Sequence, residues 1–168
     1  MSRTVDFAVE STASVEQIHR AFCERDYWLA RLKAFGGFGR LDSLEVGADG
    51  CATVVVTQDL RHDALPGLVA RFFPHEWKVV QNETWGPVED GRLRGIVSIT
   101  TYGAPGTGVG KVVMEPVPVG SRLTCAATVE FKVPLVGAMI EAVMGKLLAQ
   151  QISVIQQFTT KWIAEFAL

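Results

Sequence analysis

Hydrophobic and polar positions alternate from the first residues onward. Val5, Phe7 and Val9 share one face of Thr4–Val9, the period of a half-buried strand. Ser14 and Gln17 then stand at capping-box spacing, and Val15, Ile18 and Phe22 give a short helix its apolar stripe. Asp26 is placed to cap a second short helix through Tyr27, Trp28, Leu29 and Leu32, which should stop at Gly36-Gly37. Strand patterns follow at Leu41–Val46 and Ala52–Leu60, joined by the turn Gly47-Ala48-Asp49-Gly50. Residues 63–73 break the alternation. Leu65, Leu68, Val69, Phe72 and Phe73 there predict a short helix or an apolar lid, with Pro66 at its start and Pro74 at its end. Strands resume at Glu76–Trp85, Arg92–Tyr102, Gly108–Glu115 and Arg122–Val133, separated by short Gly- and Pro-containing turns. This spacing predicts an antiparallel meander.

From Leu135 to about Phe166 no proline occurs, which predicts a helix on the order of 45 Å long. At 100° per residue its apolar arc holds Val136, Ile140, Val143, Met144, Leu147, Leu148, Val154, Ile155, Phe158 and Trp162. The opposite side carries Ala142, Lys146, Ala149, Gln150, Ser153, Gln156, Gln157 and Thr160. Gln151 falls inside the apolar arc, where a leucine would be expected. A long helix with so wide an apolar face must lie on something, and the apolar face of the sheet is the surface available. One α+β domain spanning residues 1–168 is expected.

Composition narrows the class. The chain has 168 residues, 48% hydrophobic and 20% charged, which excludes a disordered segment. Its 16 basic and 18 acidic residues give a net charge of −2, with no basic excess to bind a nucleic acid. No unbroken apolar run reaches 18 residues, so no transmembrane segment is expected, and Asp6 and Glu10 interrupt any signal-like stretch at the start. Cys23, Cys51 and Cys125 are odd in number and form no CxxC, which predicts reduced thiols in a cytoplasmic protein.

The order strand, two short helices, six strands, long helix resembles that of START-like domains, the SRPBCC or helix-grip superfamily. The stretch Phe131-Lys132-Val133-Pro134-Leu135-Val136-Gly137-Ala138-Met139-Ile140-Glu141 and the Trp-rich strand Glu76–Trp85 are similar to one START-like family of unassigned function. The resemblance implies a curved seven-stranded antiparallel sheet wrapped around the C-terminal helix, with a cavity between them. It implies little about activity, because the superfamily houses lipid-transfer proteins, receptors, cyclases and chaperone cofactors.

Period-two logic on such a sheet selects the inward residues. Glu76–Trp85 contributes Trp77, Val79, Gln81, Glu83 and Trp85, and the next strand Leu93, Gly95, Val97, Ile99 and Thr101. The last strand contributes Leu123, Cys125, Ala127, Val129 and Phe131, and Ala52–Leu60 contributes Ala52, Val54, Val56, Gln58 and Leu60. The ligand-contacting candidates are Gln58, Trp77, Gln81, Glu83, Trp85, Val97, Ile99, Thr101, Ala127 and Val129, with Met144, Leu147, Gln151 and Phe158 from the helix. Each has a plainer reading. Glu83 at a strand end would be solvated, Gln81 and Gln151 would bond each other or a water, and Trp77 and Trp85 would be core. The segment Leu65 to Phe73 reads equally as a gate or a covering loop.

Catalytic motifs are sparse. Gly103–Lys111 fails the P-loop pattern, with Pro105 in place of the first glycine and Val112 in place of Ser or Thr. No GxSxG elbow occurs, and His19, His62 and His75 lack metal-ligand spacing, so neither metal nor cofactor is expected. His19 reads as exposed, and Cys125 as packing rather than nucleophile. A His62–Glu83 acid/base pair is the one catalytic candidate. The favoured function is binding or transport of a small hydrophobic ligand such as a lipid, acyl chain, polyketide or aromatic metabolite. A cyclase- or hydratase-like enzyme using the same cavity, and a protein-interaction module with a filled core, are the alternatives. Any membrane contact is expected to be transient, and the oligomeric state is left open.

Overall fold

The structure, a computed structural model, describes residues 2–35, 39–61 and 65–166. Strand β1 (Ser2–Ser11) is followed by helices α1 (Val15–Phe22) and α2 (Arg25–Ala34). Strands β2 (Gly39–Val46) and β3 (Ala52–Arg61) lead to the short helix α3 (Gly67–Ala70). Strands β4 (Glu76–Trp85), β5 (Leu93–Tyr102), β6 (Thr107–Pro116) and β7 (Ser121–Glu130) then precede helix α4 (Gly137–Phe166). The seven strands form one antiparallel sheet in the order β1-β7-β6-β5-β4-β3-β2. β1 pairs with β7, Phe7 opposite Cys125, so the first strand joins the far end of the meander. Helices α1 and α2 therefore carry the chain from one edge of the sheet to the other. The hydrophobic pattern predicts the meander and the long helix, and their helix-grip arrangement is the one the resemblance implies.

Local chemistry sets most element ends. Ser14 accepts from the Gln17 backbone N–H, and the Gln17 side chain accepts from the Ser14 N–H, closing the capping box of α1. Helix α2 departs from expectation. Glu24 is its N-cap without a side-chain bond, and Asp26 lies in the first turn, where its charge suits the helix dipole. The expected stop at Gly36-Gly37 lies outside the described residues. His19, expected to be exposed, is half-buried, and its Nε2 lies 2.7 Å from the Gly50 carbonyl oxygen. A carbonyl only accepts, so Nε2 carries the proton and ties α1 to the β2–β3 turn.

Helix α4 begins at Gly137, two residues later than its pattern suggests, because Leu135 adopts φ +68° and points fully into solvent. The Gly137 N–H bonds the Val133 carbonyl, and the Glu141 carboxylate accepts the Phe131 N–H at 3.2 Å, tying the strand-to-helix junction at both ends. By length and average apolarity α4 would pass for a membrane-spanning helix, a property that a search for unbroken apolar runs does not register. In the fold it lies across β1 and β7, with α1 and α2 at its C-terminal half. Gly145 permits a close approach to β1, since a Cβ there would lie 2.7 Å from Val5 Cγ2.

The face α4 buries is not the one its sequence selects. Its buried residues are Ile140, Glu141, Gly145, Gln156, Thr159, Trp162 and Ile163. Around the helix they centre roughly a quarter-turn from the apolar arc. Gln156, assigned to the polar side, is buried, while Val154 and Gln151 of the apolar arc are exposed. Close packing on Gly145 and hydrogen bonds outweigh apolar area here. Tyr27 donates its hydroxyl to Thr159 Oγ1 at 2.7 Å, because Thr159 donates its own proton to the Ile155 carbonyl. Ser11 Oγ likewise meets Thr160 Oγ1 at 2.6 Å, with Thr160 bonded to the Gln156 carbonyl.

Substituting Gly145→Val should push α4 off β1 and lower stability by about 1–3 kcal/mol. A urea midpoint equal to that of the unsubstituted chain would show that this contact does not fix the helix.

Candidate functional site

Between the concave face of the sheet and α4 lies a cavity of about 570 Å³. Two packed clusters bracket it. At one end Phe22 meets Trp85, Tyr27 and Trp28 at ring-centroid distances of 4.7, 5.5 and 5.7 Å, and Tyr27 meets Trp162 at 5.3 Å. At the other end Phe73 packs on Trp77 at 5.0 Å and on Phe131 at 5.9 Å, beside Val69, Val79, Val129 and Ile140. Between them the wall thins at Gly108, Gly110, Cys125 and Ala127. A Cβ on Gly110 would approach Cys125 Sγ to 3.3 Å, so β6 and β7 leave the middle of the sheet without bulky side chains.

Gln58, Trp77, Gln81, Glu83, Trp85, Val97, Ile99, Thr101, Ala127 and Val129 all line the cavity, as do Met144 and Leu147. Gln151 also lines it but is exposed, which puts it at the rim. Phe158 does not line it. Its ring packs on Tyr27 at 6.1 Å and Phe35 at 5.7 Å, because it lies in the C-terminal half of α4, where α2 covers the helix. Of the candidate lid, Leu65 and Phe73 line the cavity, whereas Val69 is core and Leu68 is exposed. Phe72 packs partly buried beside Val69 and Phe73 and stays off the cavity wall. His62 lies outside the described residues, so the structure places no partner for a His62–Glu83 pair. The Thr101 hydroxyl is committed to the β5–β6 turn, donating to the Ala104 and Gly106 carbonyls.

Polar chemistry concentrates on Glu83. This residue is 3% exposed, not solvated at a strand end. Its Oε1 accepts from Arg31 Nη2 at 3.0 Å and from Gln81 Nε2, and its Oε2 accepts from Trp85 Nε1 at 2.9 Å. Gln81 therefore pairs with Glu83 and not with Gln151. Trp85 reaches this position because β5 carries glycine beneath it: a Cβ on Gly95 would fall 2.2 Å from the indole ring. The Arg31 guanidinium also lies over the Trp28 ring, 4.8 Å from its centroid. Burial, the largest single influence, would lower the Arg31 pKa, but Glu83 and Tyr27 together outweigh it and hold the guanidinium above its ordinary value. Burial raises the Tyr27 pKa despite the nearby Arg31 charge, so the phenol stays a neutral donor.

Sequence reasoning missed Arg31 and the other helix residues on this wall, Phe22, Trp28, Leu32 and Phe35. One signal was present. Arg31 stands three residues after Trp28 and four after Tyr27, which places it on their buried helix face. A charge on that face needs a buried opposite charge, and Glu83 is the inward-facing acid of the strands.

Residues 6–163 match the family model described as "Protein of unknown function (DUF2505)". The chain belongs to that family. An uncharacterized protein of Mycobacterium tuberculosis is 37% identical to this DUF2505 member over 97% of this chain and 98% of its own length. Among solved structures, Ara h 8.0201 superposes with a TM-score of 0.59 at 13% identity, covering 98% of this chain and 99% of that one. Norcoclaurine synthase from Thalictrum flavum superposes with a TM-score of 0.55 at 17% identity, covering 98% and 88% respectively. These likenesses are of fold alone, the helix-grip architecture.

Two outcomes follow for this DUF2505 cavity. Arg31→Met strands the Glu83 carboxylate with neutral donors and should lower stability by on the order of 3–5 kcal/mol, whereas Arg31→Met with Glu83→Gln should lose less. Equal urea midpoints for the single and double variants would refute the pairing as the cause. Burial pushes the Cys125 thiol up to about 11. In the folded chain the thiol therefore stays protonated at pH 8 and should resist a thiolate-directed disulfide reagent, with labelling appearing on unfolding in urea. Rapid labelling of Cys125 at pH 8 without denaturant would contradict this.

Proposed function

We propose that this chain binds a small, mostly apolar molecule in the cavity between the sheet and α4. The observation that carries the reading is the cavity itself: about 570 Å³, walled mainly by apolar and aromatic side chains, with polar groups gathered around Glu83. Small-molecule sites are built this way, in this size range. A core built for stability alone would be filled, because empty volume forfeits packing. Apolar burial drives the binding at roughly 25 cal/mol per Å² before ordering costs.

A lipid, acyl chain, polyketide or aromatic metabolite would each satisfy this chemistry. Binding is favoured over cyclase- or hydratase-like catalysis because the buried carboxylate of Glu83 already receives three donors. A general acid or base needs a free position facing its substrate. An interaction module with a filled core is disfavoured by the volume of the cavity. We place the protein in a reducing compartment, the cytoplasm, where Cys23, Cys51 and Cys125 remain unpaired.

The neutral fluorescent probe N-phenyl-1-naphthylamine tests the reading. Its emission should rise on addition of the protein. Ala127→Phe and Val97→Trp, which fill the cavity from β7 and β5, should each weaken binding at least tenfold while keeping the far-ultraviolet circular dichroism of the parent. No emission change with the parent protein, or undiminished binding by both folded variants, would overturn it.

A further inference from the structure

Two glutamines face the cavity from neighbouring strands with amide atoms unspent. Gln81 on β4 and Gln58 on β3 both line it and are half-buried. Gln58 stands opposite Val79 and Gln81 opposite Val56, so the two are diagonal neighbours on one face, with Cβ atoms about 7 Å apart. The orientation of the Gln81 amide is fixed. Its Nε2 donates to Glu83 Oε1, and a carboxylate only accepts, so the carbonyl Oε1 of Gln81 points away from Glu83. That oxygen has no hydrogen-bond partner among the described residues, and it is reachable: Gln156 Nε2 is the one side-chain nitrogen or oxygen among them that is both sealed from contact and unpartnered. The Gln58 amide makes no hydrogen bond among the described residues and is open by the same test, so it is free to turn and donate. Beside Gln81 the wall leaves room, because Ile99 stands opposite it and glycine, Gly108, stands opposite Ile99.

We propose that this pole of the cavity takes a neutral hydroxyl group, an alcohol or a phenol, on an otherwise apolar ligand, the hydroxyl donating to Gln81 Oε1 and accepting from Gln58 Nε2. This rests on the reading of the cavity as a binding site and names the ligand chemistry that completes it. A donor is required because the open valence on Gln81 is a carbonyl oxygen, which a ketone or an ether would leave unpaired. A neutral group is required because Arg31 and Glu83 already neutralise each other across 3.0 Å. A carboxylate would set its oxygens against the Gln81 carbonyl, and an ammonium would be held beside Arg31 without a free carboxylate. The aromatic and aliphatic walls receive the remainder of the molecule.

Three probes that differ at one group test the assignment: 2-naphthol donates and accepts, 2-methoxynaphthalene only accepts, and 2-ethylnaphthalene does neither. Their affinities are measured by equilibrium dialysis at pH 7 with the parent chain, Gln81→Leu and Gln58→Leu. In Gln81→Leu the ratio of naphthol to ether affinity should fall about tenfold, the value of one hydrogen bond near 1.4 kcal/mol. In Gln58→Leu both oxygen-bearing probes should lose a similar factor against the hydrocarbon, with the naphthol-to-ether ratio kept. Comparing ratios removes the intrinsic difference in hydrophobicity between the probes. Gln81→Leu also takes one donor from Glu83; if it loses the far-ultraviolet circular dichroism of the parent, Gln58→Leu decides, because the Gln58 amide holds nothing in the described fold. Unchanged ratios in the folded variants, with the probes bound, would overturn the hydroxyl assignment and leave the cavity reading standing. Failure of the parent to bind any of the three probes would overturn both.

Discussion

A single helix is too narrow to cover a seven-stranded sheet. Strands spaced about 4.8 Å apart make a surface nearly 30 Å across, whereas a helix with its side chains is about 10–12 Å wide. Wherever α4 docks, part of the concave face stays uncovered. Here it docks on β1 and β7, drawn in by Gly145 against Val5 and held by the bonds from Tyr27 and Ser11 to Thr159 and Thr160. The uncovered part becomes the cavity. Helices α1 and α2 close one end because they must run from β1 to β2 across the gap between the sheet edges.

That geometry decides which charges can exist inside. Arg31 enters from α2 and Glu83 from β4, 52 residues apart in sequence and 3.0 Å apart in space. Each would be untenable alone at this burial, and together they also engage Trp28, Gln81 and Trp85. The pair links the helix that caps the cavity to the strand that floors it. It fixes the polar pole of a space whose other walls are apolar, so stability of the cap and chemistry of the cavity depend on the same contact.

Much of this was legible in the chain. Strand alternation assigned Gln81, Glu83, Val97 and Ala127 to the inner face, because a period of two admits only two answers and one face must be buried. The capping box Ser14–Gln17 and the closing turns are local chemistry and were readable as such. The family-like stretch from Phe131 to Glu141 marked a junction, and the bond from the Phe131 N–H to Glu141 is what that junction does. The error lay on α4. A helix can rotate continuously about its axis, so its buried face depends on the partner surface as well as on its own apolar arc. Gly145 has almost no hydrophobic weight in a pattern, yet it lets α4 and β1 approach and so buries the face that carries Gln156 and Thr159.

The sequence by itself determined the elements, their order and the inner face of the sheet, since each follows from periodicities and caps that act over a few residues. Tertiary structure alone decided that Arg31 meets Glu83, that α4 buries Gln156 while exposing Val154, and that a cavity remains. These depend on distances between elements far apart in the chain, and on the mismatch between a wide sheet and one narrow helix. No local pattern of side chains records either.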